Sequence, residues 1–517
     1  MAQSEAISAP LPARPDLSPA RRYLILLSII LSVTLYSTSI LVVAAVLPQL
    51  QGAMAATPDE ISWTMTFNIL ATAVATPLTG WLAGRFGRRN LLVGSVLIFT
   101  IATWMCGAAH SLEGLILWRV IQGAAGAPLS PMGQSVVMDT FPGEERGMAI
   151  GLYGIGVVMG AFIGPMVGGV MAEVYTWRYA FYLLVPIGFL SALGVYLALP
   201  RMHRTQKIKL EWTGFILISA CIACLQLALS RGQRLDWFES PEIVIEVFLA
   251  VLALYMFITH SLTHDKPFLN LRLLTNRNYA IGLILVTIYG MLNFTPMVIL
   301  PGLLREHVGL PDSLIGYVVG SRGIGAMCGF FVASRIGQKF PRKTIAAGFG
   351  IQVVAGIWLM TTGLNTTPFE FALNGVIQGF AVGMIWVPMT VVTFFTVDAR
   401  NLDECASVYH LLRNIGSSFF ISMSVTEIVR SAQQNYERLT ENISQFNIAL
   451  KFPWVMGRWD IDSVEGLARL SKELYHQAFH ISHVNVFGMY TLASAAAIPL
   501  ILFVSRPTAK KDAVDPH

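Results

Sequence analysis

Residues 146–172 read RGMAIGLYGIGVVMGAFIGPMVGGVMA, and their only charged residue is Arg146. A helix needs about 20 mostly apolar residues to cross the hydrocarbon core of a bilayer, so this stretch is long enough to span one. Stretches of the same kind recur along the chain and predict an all-α polytopic membrane protein with about 14 transmembrane helices. The predicted spans, numbered in chain order, lie near 23–47, 60–83, 91–109, 113–135, 146–172, 176–199, 211–230, 242–262, 278–303, 313–336, 344–364, 368–395, 403–429 and 484–505.

The composition excludes a soluble protein. Of the 517 residues, 54% are hydrophobic and 13% are charged, whereas a soluble domain carries about 25% charged residues. So little charge cannot cover a water-facing surface. The net charge of +5 is modest, and we predict a lipid bilayer as the surrounding medium and no nucleic-acid partner.

The sequence also lacks the usual signs of a reaction centre. Its five cysteines fall in or beside apolar segments and predict no disulfide framework. Cys221 and Cys224 have the spacing of a redox pair, but they lie inside an apolar span, where we interpret them as small residues on one helical face. There is no Gly-x4-Gly-Lys-Ser/Thr phosphate loop, no metal-ligand cluster and no nucleophile with a partner. We therefore predict neither an enzyme nor an ATP-driven pump, and no catalytic residue, metal site or cofactor.

Basic residues give the predicted orientation. Cytoplasmic loops of membrane proteins are enriched in Lys and Arg. Alternate short loops of this chain are rich in both, as around Arg85 and Lys339, whereas the short loops between them carry only Arg231, Arg234 and Arg305. This alternation predicts that both termini face the cytoplasm. One long connection, 430–482, would face outward.

A faint internal repeat predicts how the spans are grouped. Val-Ile-Gln-Gly occurs at 120–123 and again at 376–379, and the basic loop 85–89 has an echo at 335–343. Transporters often contain such repeats, and the shared spacing predicts six helices, two inserted helices and six more. The corresponding divisions are a cytoplasmic tail 1–22, an N-terminal half 23–199, an inserted two-helix segment 200–277, a C-terminal half 278–505 and a cytoplasmic tail 506–517.

Three motifs follow one another along the first half. They are Gly80-Trp-Leu-Ala-Gly-Arg85-Phe-Gly87-Arg88-Arg89 between helices 2 and 3, Leu115-x3-Arg119-x2-Gln122-Gly123-x2-Gly126 on helix 4, and Gly151-x8-Gly160-x3-Gly164-Pro165-x2-Gly168-Gly169 on helix 5. In this order they resemble the major facilitator superfamily, specifically its 14-helix drug:proton antiporter branch (the EmrB/QacA type). The resemblance covers most of residues 30–505 and implies two six-helix halves around the inserted pair.

Each motif carries an expectation about mechanism. In the first, the resemblance implies a cytoplasmic gating loop in which Gly80 and Gly87 permit a tight turn while Arg85, Arg88 and Arg89 hold neighbouring helix ends. Gly84 replaces the usual acid, so one ion pair of that gate is open to question. On helix 5, small residues four apart allow close helix packing, and a proline favours a bend. The third motif is associated with antiporters and favours export.

Buried cations form the predicted transport site. The candidates for transport or coupling are Arg119, Gln122, Arg322, His410, Arg413 and Glu427. An arginine inside a bilayer costs at least about 2.5–3.5 kcal/mol. We expect each buried arginine to line a polar cavity in a transport or coupling role. The alternative is a structural role, in which the arginine binds backbone carbonyls or pairs after folding with an acid at a span end, Glu427 or Asp139. His410 is a possible proton carrier, although a buried histidine with a hydrogen-bond partner is the simpler interpretation.

The expected acid on helix 1 is missing. Depending on the alignment, Ser37 or Ser39 stands in its place, and no Asp or Glu lies near the middle of any predicted span. Three buried cations without such acids favour an anionic or zwitterionic solute over a lipophilic cation.

The function predicted from these features is secondary active export of small amphipathic or drug-like solutes by alternating access, with proton antiport. The alternative is uptake or export of an anionic metabolite, fatty acid or siderophore; a non-transporting membrane sensor is less favoured because the termini are too short for an output domain. The predicted location is a bacterial inner membrane. Segment 430–482 would either dock a periplasmic adaptor, which leads to an outer-membrane channel, or act as a passive connector.

Overall fold

A computed structural model describes residues 17–200, 209–264, 267–306, 309–363, 366–398, 401–441, 443–444, 446–456 and 459–504. Within these ranges the regular structure is helical. Most of the two predicted terminal tails and the loop 201–208 lie outside them.

The helices of the N-terminal half are α1 (Pro19–Ala53), α2 (Pro58–Ala75), α3 (Leu78–Phe86), α4 (Arg88–Ala108), α5 (Leu112–Gly126), α6 (Leu129–Thr140), α7 (Gly143–Val174), α8 (Trp177–Tyr182) and α9 (Leu184–Ala198). The inserted pair is α10 (Trp212–Arg231) and α11 (Pro241–Thr263). The C-terminal half contains α12 (Arg277–Glu306), α13 (Asp312–Ile336), α14 (Pro341–Met360), α15 (Pro368–Phe394), α16 (Leu402–Thr440), α17 (Pro453–Met456) and α18 (Val464–Leu500).

Eleven helices of the described ranges are long and apolar enough to cross a membrane by themselves. The other three predicted spans, 60–83, 113–135 and 403–429, also coincide with helix, but each departs from a simple apolar rod. The first two are interrupted at Pro77 and Pro128, because proline lacks the N–H that would continue the helical ladder. The third, within α16, contains four polar residues in eight positions, His410, Arg413, Asn414 and Ser417.

Two helices extend well past the length that a bilayer requires. α16 has 39 residues and α18 has 37, whereas about 20 suffice for one crossing. Their extra turns, together with α17, occupy much of segment 430–482. The two extensions pack on each other through a hydrogen bond between the hydroxyls of Tyr436 and Ser471 (2.9 Å) and one from Asn485 Nδ2 to Ser431 Oγ (2.8 Å). The predicted outward segment therefore contains a helical hairpin.

The two halves share one packing feature that agrees with the sequence repeat. A Cβ added at Gly123 of α5 would collide with the backbone oxygen of Asn68 in α2, and one added at Gly379 of α15 would collide with that of Arg322 in α13. Only glycine allows two helix backbones to approach so closely. The repeated Val-Ile-Gln-Gly thus marks an equivalent helix crossing in each half.

The inserted pair lies against both halves. The Ser422 hydroxyl of α16 donates to the Leu229 carbonyl of α10 (2.6 Å), and Trp237 Nε1 donates to Thr426 Oγ1 (2.9 Å). On the other side, the Arg231 guanidinium lies 5.4 Å from the ring centre of Trp63 in α2. These contacts place α10 beside the seam between α2 and α16.

Candidate functional site

An ion-pair triad joins the two halves at one end of the bundle. Gly87 ends α3 with a φ of +80°, a backbone region that favours glycine, and the chain turns directly into α4. Arg88 then pairs through Nη1 with Asp139 of α6 (2.8 Å) and through Nε with Asp403 of α16 (2.9 Å). The Ser135 hydroxyl of α6 also donates to Asp403. These two aspartates supply the carboxylates that Gly84 cannot, and Asp403 supplies one from the opposite half.

The other residues of the predicted gating loop have separate roles. A Cβ at Gly80 would lie 3.1 Å from Glu404 Cα, so α3 packs directly on the first turn of α16. Arg89 stacks on the ring of Tyr196 at 4.2 Å, within its own half. Arg85 is exposed. Among the residues that the structure describes, Arg88 is the one of these three arginines that makes an ion pair across the seam.

The glycine-rich helix α7 lies between the halves. A Cβ at Gly160 would be 2.5 Å from the Thr34 oxygen, and one at Gly164 would be 2.9 Å from the Thr38 oxygen, so this face packs on the backbone of α1. Gly151 lies nearer the start of the helix. A Cβ added there would be 3.4 Å from the Phe330 backbone oxygen in α13, which belongs to the other half.

Toward its other end α7 is less crowded. Gly168 is buried, whereas a Cβ at Gly169 would meet no atom within 4 Å. The helix continues through Pro165 without a break. The first two thirds of the motif therefore make the close contacts, one face within the N-terminal half and one face across the seam.

Arg119 is fully buried inside the N-terminal half. Its Nε donates to the Thr64 carbonyl (3.3 Å), and its Nη1 donates to the Ser39 carbonyl (3.5 Å) and to Gln122 Oε1. Gln122 Nε2 in turn donates to Thr103 Oγ1 (2.7 Å). Of the environments predicted for this arginine, the structure shows the one in which backbone carbonyls bind it.

The structure also separates the two serine positions on α1. Ser37 faces α7, since its Cβ is the neighbour that a side chain at Gly160 would meet, whereas Ser39 offers its carbonyl to Arg119. Of the two positions, 39 is the one whose backbone contacts the buried arginine, and a serine stands there.

A central aromatic cluster surrounds Arg413 of α16. Trp386 lies 5.1 Å from Tyr289, 5.7 Å from Tyr409 and 6.0 Å from His410 between ring centres, and the Arg413 guanidinium lies 5.6 Å from the Trp386 ring. We call these five residues the central cluster. Tyr289 and Tyr409 were not predicted from the sequence, because tyrosines in an apolar run carry no signal that separates a lining position from a packing position.

The central cluster touches the other half. His410 Nε2 and Gln134 Oε1 of α6 are 2.5 Å apart, a hydrogen bond across the seam. His410 Nδ1 and Gln134 Nε2 are buried without a hydrogen-bond partner in the described part of the chain. The cluster therefore lies where the halves meet.

Arg322 occupies a different environment, inside the C-terminal half. It is 7% exposed, and its Nη2 donates to the Leu292 carbonyl at 3.1 Å. Among the residues that the structure describes, none of Arg119, Arg322 and Arg413 forms an ion pair with a carboxylate. Glu427 is half-buried and likewise forms no ion pair within the described ranges. The alternative in which Glu427 or Asp139 neutralises these arginines is not what the geometry shows, since Asp139 pairs with Arg88.

Comparison with known proteins decides the family. The family model described as Major Facilitator Superfamily matches residues 27–421. The chain belongs to the major facilitator superfamily. The multidrug export protein EmrB of Escherichia coli (strain K12) is 31% identical over 472 residues, covering 89% of this chain and 91% of that protein. The fatty acid resistance protein FarB of Neisseria gonorrhoeae is 27% identical, covering 95% and 98%.

Solved structures show the same fold. The crystal structure of the human organic anion transporter MFSD10 aligns with a TM-score of 0.61 at 12% identity, covering 94% of this chain and all of that one. The prediction of an all-helical polytopic major facilitator fold is confirmed, as is the placement in the 14-helix branch that includes EmrB. The protein is therefore a multi-pass membrane transporter and not an enzyme.

Proposed function

We propose that this transporter exports small amphipathic solutes by alternating access, in exchange for protons. The observation that carries the proposal is the set of contacts across the seam at one end of the bundle, where Arg88 pairs with Asp403 and Gly80 packs on Glu404. If this end faces the cytoplasm, as the basic loops predict, the structure is closed toward the cytoplasm. Opening requires these contacts to separate.

The shape of α7 supports a rocking movement. Its glycines let one face lie on α1 while another face lies on α13, and smooth faces without protruding side chains permit one half to tilt against the other. The central cluster lies behind the closed end, so parting of the halves would open a path to Arg413 and Trp386. A site built from aromatic side chains and the Arg413 guanidinium suits solutes that have both apolar and polar parts.

His410 supports proton coupling. No Asp or Glu lies near the middle of a predicted span, so the carrier has to be another titratable group. The hydrogen bond from His410 to Gln134 spans the seam and breaks when the halves part. Arg413, Tyr409, Trp386 and Gln134 surround the ring, and Arg413 is the charged group among them. A protonated ring would place two positive charges one turn apart, so separating the halves and admitting water favours proton uptake.

Flux measurements test the proposal. The purified protein is reconstituted into liposomes that contain a pH-sensitive dye, and a panel of neutral, cationic and anionic amphiphiles is supplied in turn with and without an imposed pH gradient. We expect at least one amphiphile to be carried against its gradient when protons flow the other way. If no amphiphile moves in response to the pH gradient, antiport is refuted.

A matched pair of histidine substitutions tests the carrier. His410→Gln keeps a hydrogen-bonding side chain and removes the titratable ring, so we expect exchange of solute down its gradient to persist while the response to the pH gradient falls about tenfold or more. His264→Gln, on an exposed residue at the end of α11, is the control. Equal gradient responses in the two variants would exclude His410 as the carrier.

We also propose that the helical hairpin docks an adaptor protein. Its tip carries several strongly exposed apolar side chains, among them Phe446 (91% exposed), Trp454 (73%) and Val464 (87%). A contact with a partner protein would remove these side chains from water. Deletion of the hairpin tip should abolish export from intact cells and spare it in spheroplasts. Loss in both preparations would instead indicate a structural role.

A further inference from the structure

A small cavity lies inside the C-terminal half, apart from the seam. Residues of α12, α13, α14, α15 and α18 line it, and it has room for about one or two water molecules. Its polar lining consists of Arg322, Asn374 and Gln378, and the rest of its lining is Gly375 and apolar side chains. A large solute does not fit there, but a single small ion does.

The internal repeat explains why Arg322 has space beside it. Gly375 lies four residues before Gly379, as Arg119 lies four residues before Gly123. At this position of the helix crossing, α5 of the N-terminal half therefore carries an arginine side chain, whereas α15 carries none. Gly375 lines the cavity, and the arginine of this half comes from the facing helix, α13.

Arg322 brings a charge without a counter-charge to this cavity. It lies in the apolar span Leu314–Ile336 and is only 7% exposed. Its Nη2 donates to the Leu292 carbonyl at 3.1 Å, whereas its Nη1 is buried and has no hydrogen-bond partner among the described residues. Within the described ranges no carboxylate pairs with it. A buried charge in this state is costly unless an ion of opposite sign neutralises it.

The two amides beside Arg322 are held in place by neighbouring groups. Gln378 Nε2 donates to Asn374 Oδ1 (2.8 Å), and Asn374 Nδ2 donates to the Ala355 carbonyl of α14 (2.9 Å). The Gln378 carbonyl accepts from Gln352 Nε2 at 3.2 Å. Each side-chain amide nitrogen carries two N–H groups, so each of the two amides that line the cavity has a second N–H group besides the one used in these bonds. The guanidinium and these amides supply hydrogen-bond donors to the cavity.

We infer that this cavity binds a single halide ion, chloride under physiological conditions, on Arg322 Nη1 beside the amide of Gln378. A chloride ion is only slightly larger than a water molecule, so it fits a space in which a carboxylate with a hydrocarbon chain does not. A water molecule would accept the same hydrogen bond but would leave the positive charge in an apolar surrounding. The anion neutralises that charge and makes the stronger, charge-assisted hydrogen bond.

The inference goes beyond the proposed function and does not rest on it. The cavity lies inside one half, so an ion bound there requires neither a direction of transport nor a coupling ion. Its test is a binding measurement without any gradient. The inference can therefore fail while antiport stands, and antiport can fail while the inference stands.

The experiment uses the full-length protein, purified in detergent with gluconate as the only anion. Chloride is titrated in, and binding is measured as broadening of the chloride NMR signal, with bromide and then sulfate as competitors. Arg322→Gln should weaken chloride binding about tenfold or more, since it removes a charged hydrogen-bond donor, and Arg322→Lys should recover part of it. The matched control is Arg335→Gln on the same helix, because Arg335 is exposed and stacks on Phe331 instead of lining the cavity.

Broadening that bromide reverses, that sulfate leaves in place and that depends on Arg322 but not on Arg335 supports the inference. Equal broadening in wild type and Arg322→Gln overturns it, and so does a wild type that shows no broadening, because water alone would then fill the cavity. Displacement by sulfate as effective as that by bromide also overturns it, since sulfate is too large for this space. In gluconate the melting temperature of Arg322→Gln should stay near the wild-type value, and added chloride should raise only the wild-type value, which separates lost binding from lost folding.

Discussion

Replacing Asp403 by Asn removes the one carboxylate of the triad that comes from the C-terminal half. The Arg88 Nε to Asp403 contact is 2.9 Å, and both side chains are less than one fifth exposed, so solvent screening is limited. A charge-assisted hydrogen bond of this kind is worth about 1.5–3 kcal/mol. Arg88 retains Asp139 at 2.8 Å, so we expect the closed state to lose about 1–2 kcal/mol. That loss corresponds to an increase of about 5- to 30-fold in the ratio of open to closed molecules at this end.

A distance measurement across the seam detects the change. Spin labels at Asn90, after the turn into α4, and at Lys339, between α13 and α14, lie on opposite halves at exposed positions. The labels require a background in which the five native cysteines are replaced and in which the closed distance is first confirmed. Asp403→Asn should then populate a longer distance that is minor in the parent protein.

Asp139→Asn is the matched control, because it makes the same chemical change to the partner that lies in the same half as Arg88. It leaves the inter-half ion pair in place, so its distance distribution should resemble that of the parent. If the two variants open the seam equally, or if Asp403→Asn leaves the distances unchanged, the triad does not hold the halves together in the way the structure implies.

Three further predictions concern stability and packing. Arg119→Gln should lower the free energy of unfolding by about 3 kcal/mol, since it leaves buried carbonyls without a hydrogen-bond donor. Arg322→Gln should change the free energy of unfolding by less than about 1 kcal/mol. Equal melting temperatures of the two variants in detergent would contradict this contrast. Gly160→Ala should reduce transport strongly, because overpacking against α1 costs about 1–3 kcal/mol. Gly169→Ala should remain active, because a side chain there has no neighbour within 4 Å. Similar flux from both variants would exclude close packing as the role of the motif. Gly87→Ala should lower the melting temperature, since a side chain at φ +80° and ψ 147° costs about 1–3 kcal/mol. An unchanged value would show that the turn rearranges freely.

Hydropathy predicted where the chain crosses the membrane but not where its helices end. The apolar run of the last span begins near 484, yet α18 begins at Val464. Hydropathy reports how apolar a segment is, whereas a helix continues past its apolar run wherever another helix packs on it, as the extensions of α16 and α18 do on each other. The breaks at Pro77 and Pro128 are the reverse case, because proline interrupts the ladder inside a continuous apolar run.

The sequence by itself determined the class, the spans and the family. Apolar length, the basic loops and three ordered motifs are local properties, and each can be recognised without knowing which residues meet. The same local information identified the buried arginines Arg119, Arg322 and Arg413 and the buried His410, because a charge or an imidazole inside an apolar run is conspicuous wherever it packs.

Only the tertiary structure decided what those residues and Arg88 contact. Arg88 pairs with Asp403, which lies 315 positions further along the chain. His410 forms a hydrogen bond with Gln134 across the same seam. Arg119 and Arg322 look alike in sequence, yet Arg119 binds two backbone carbonyls and Gln122, whereas Arg322 binds one carbonyl. The Nη1 of Arg322 has no hydrogen-bond partner among the described residues. The physical reason is that a buried charge is defined by the partners that neighbouring helices bring to it, and those partners are set by how the two halves pack.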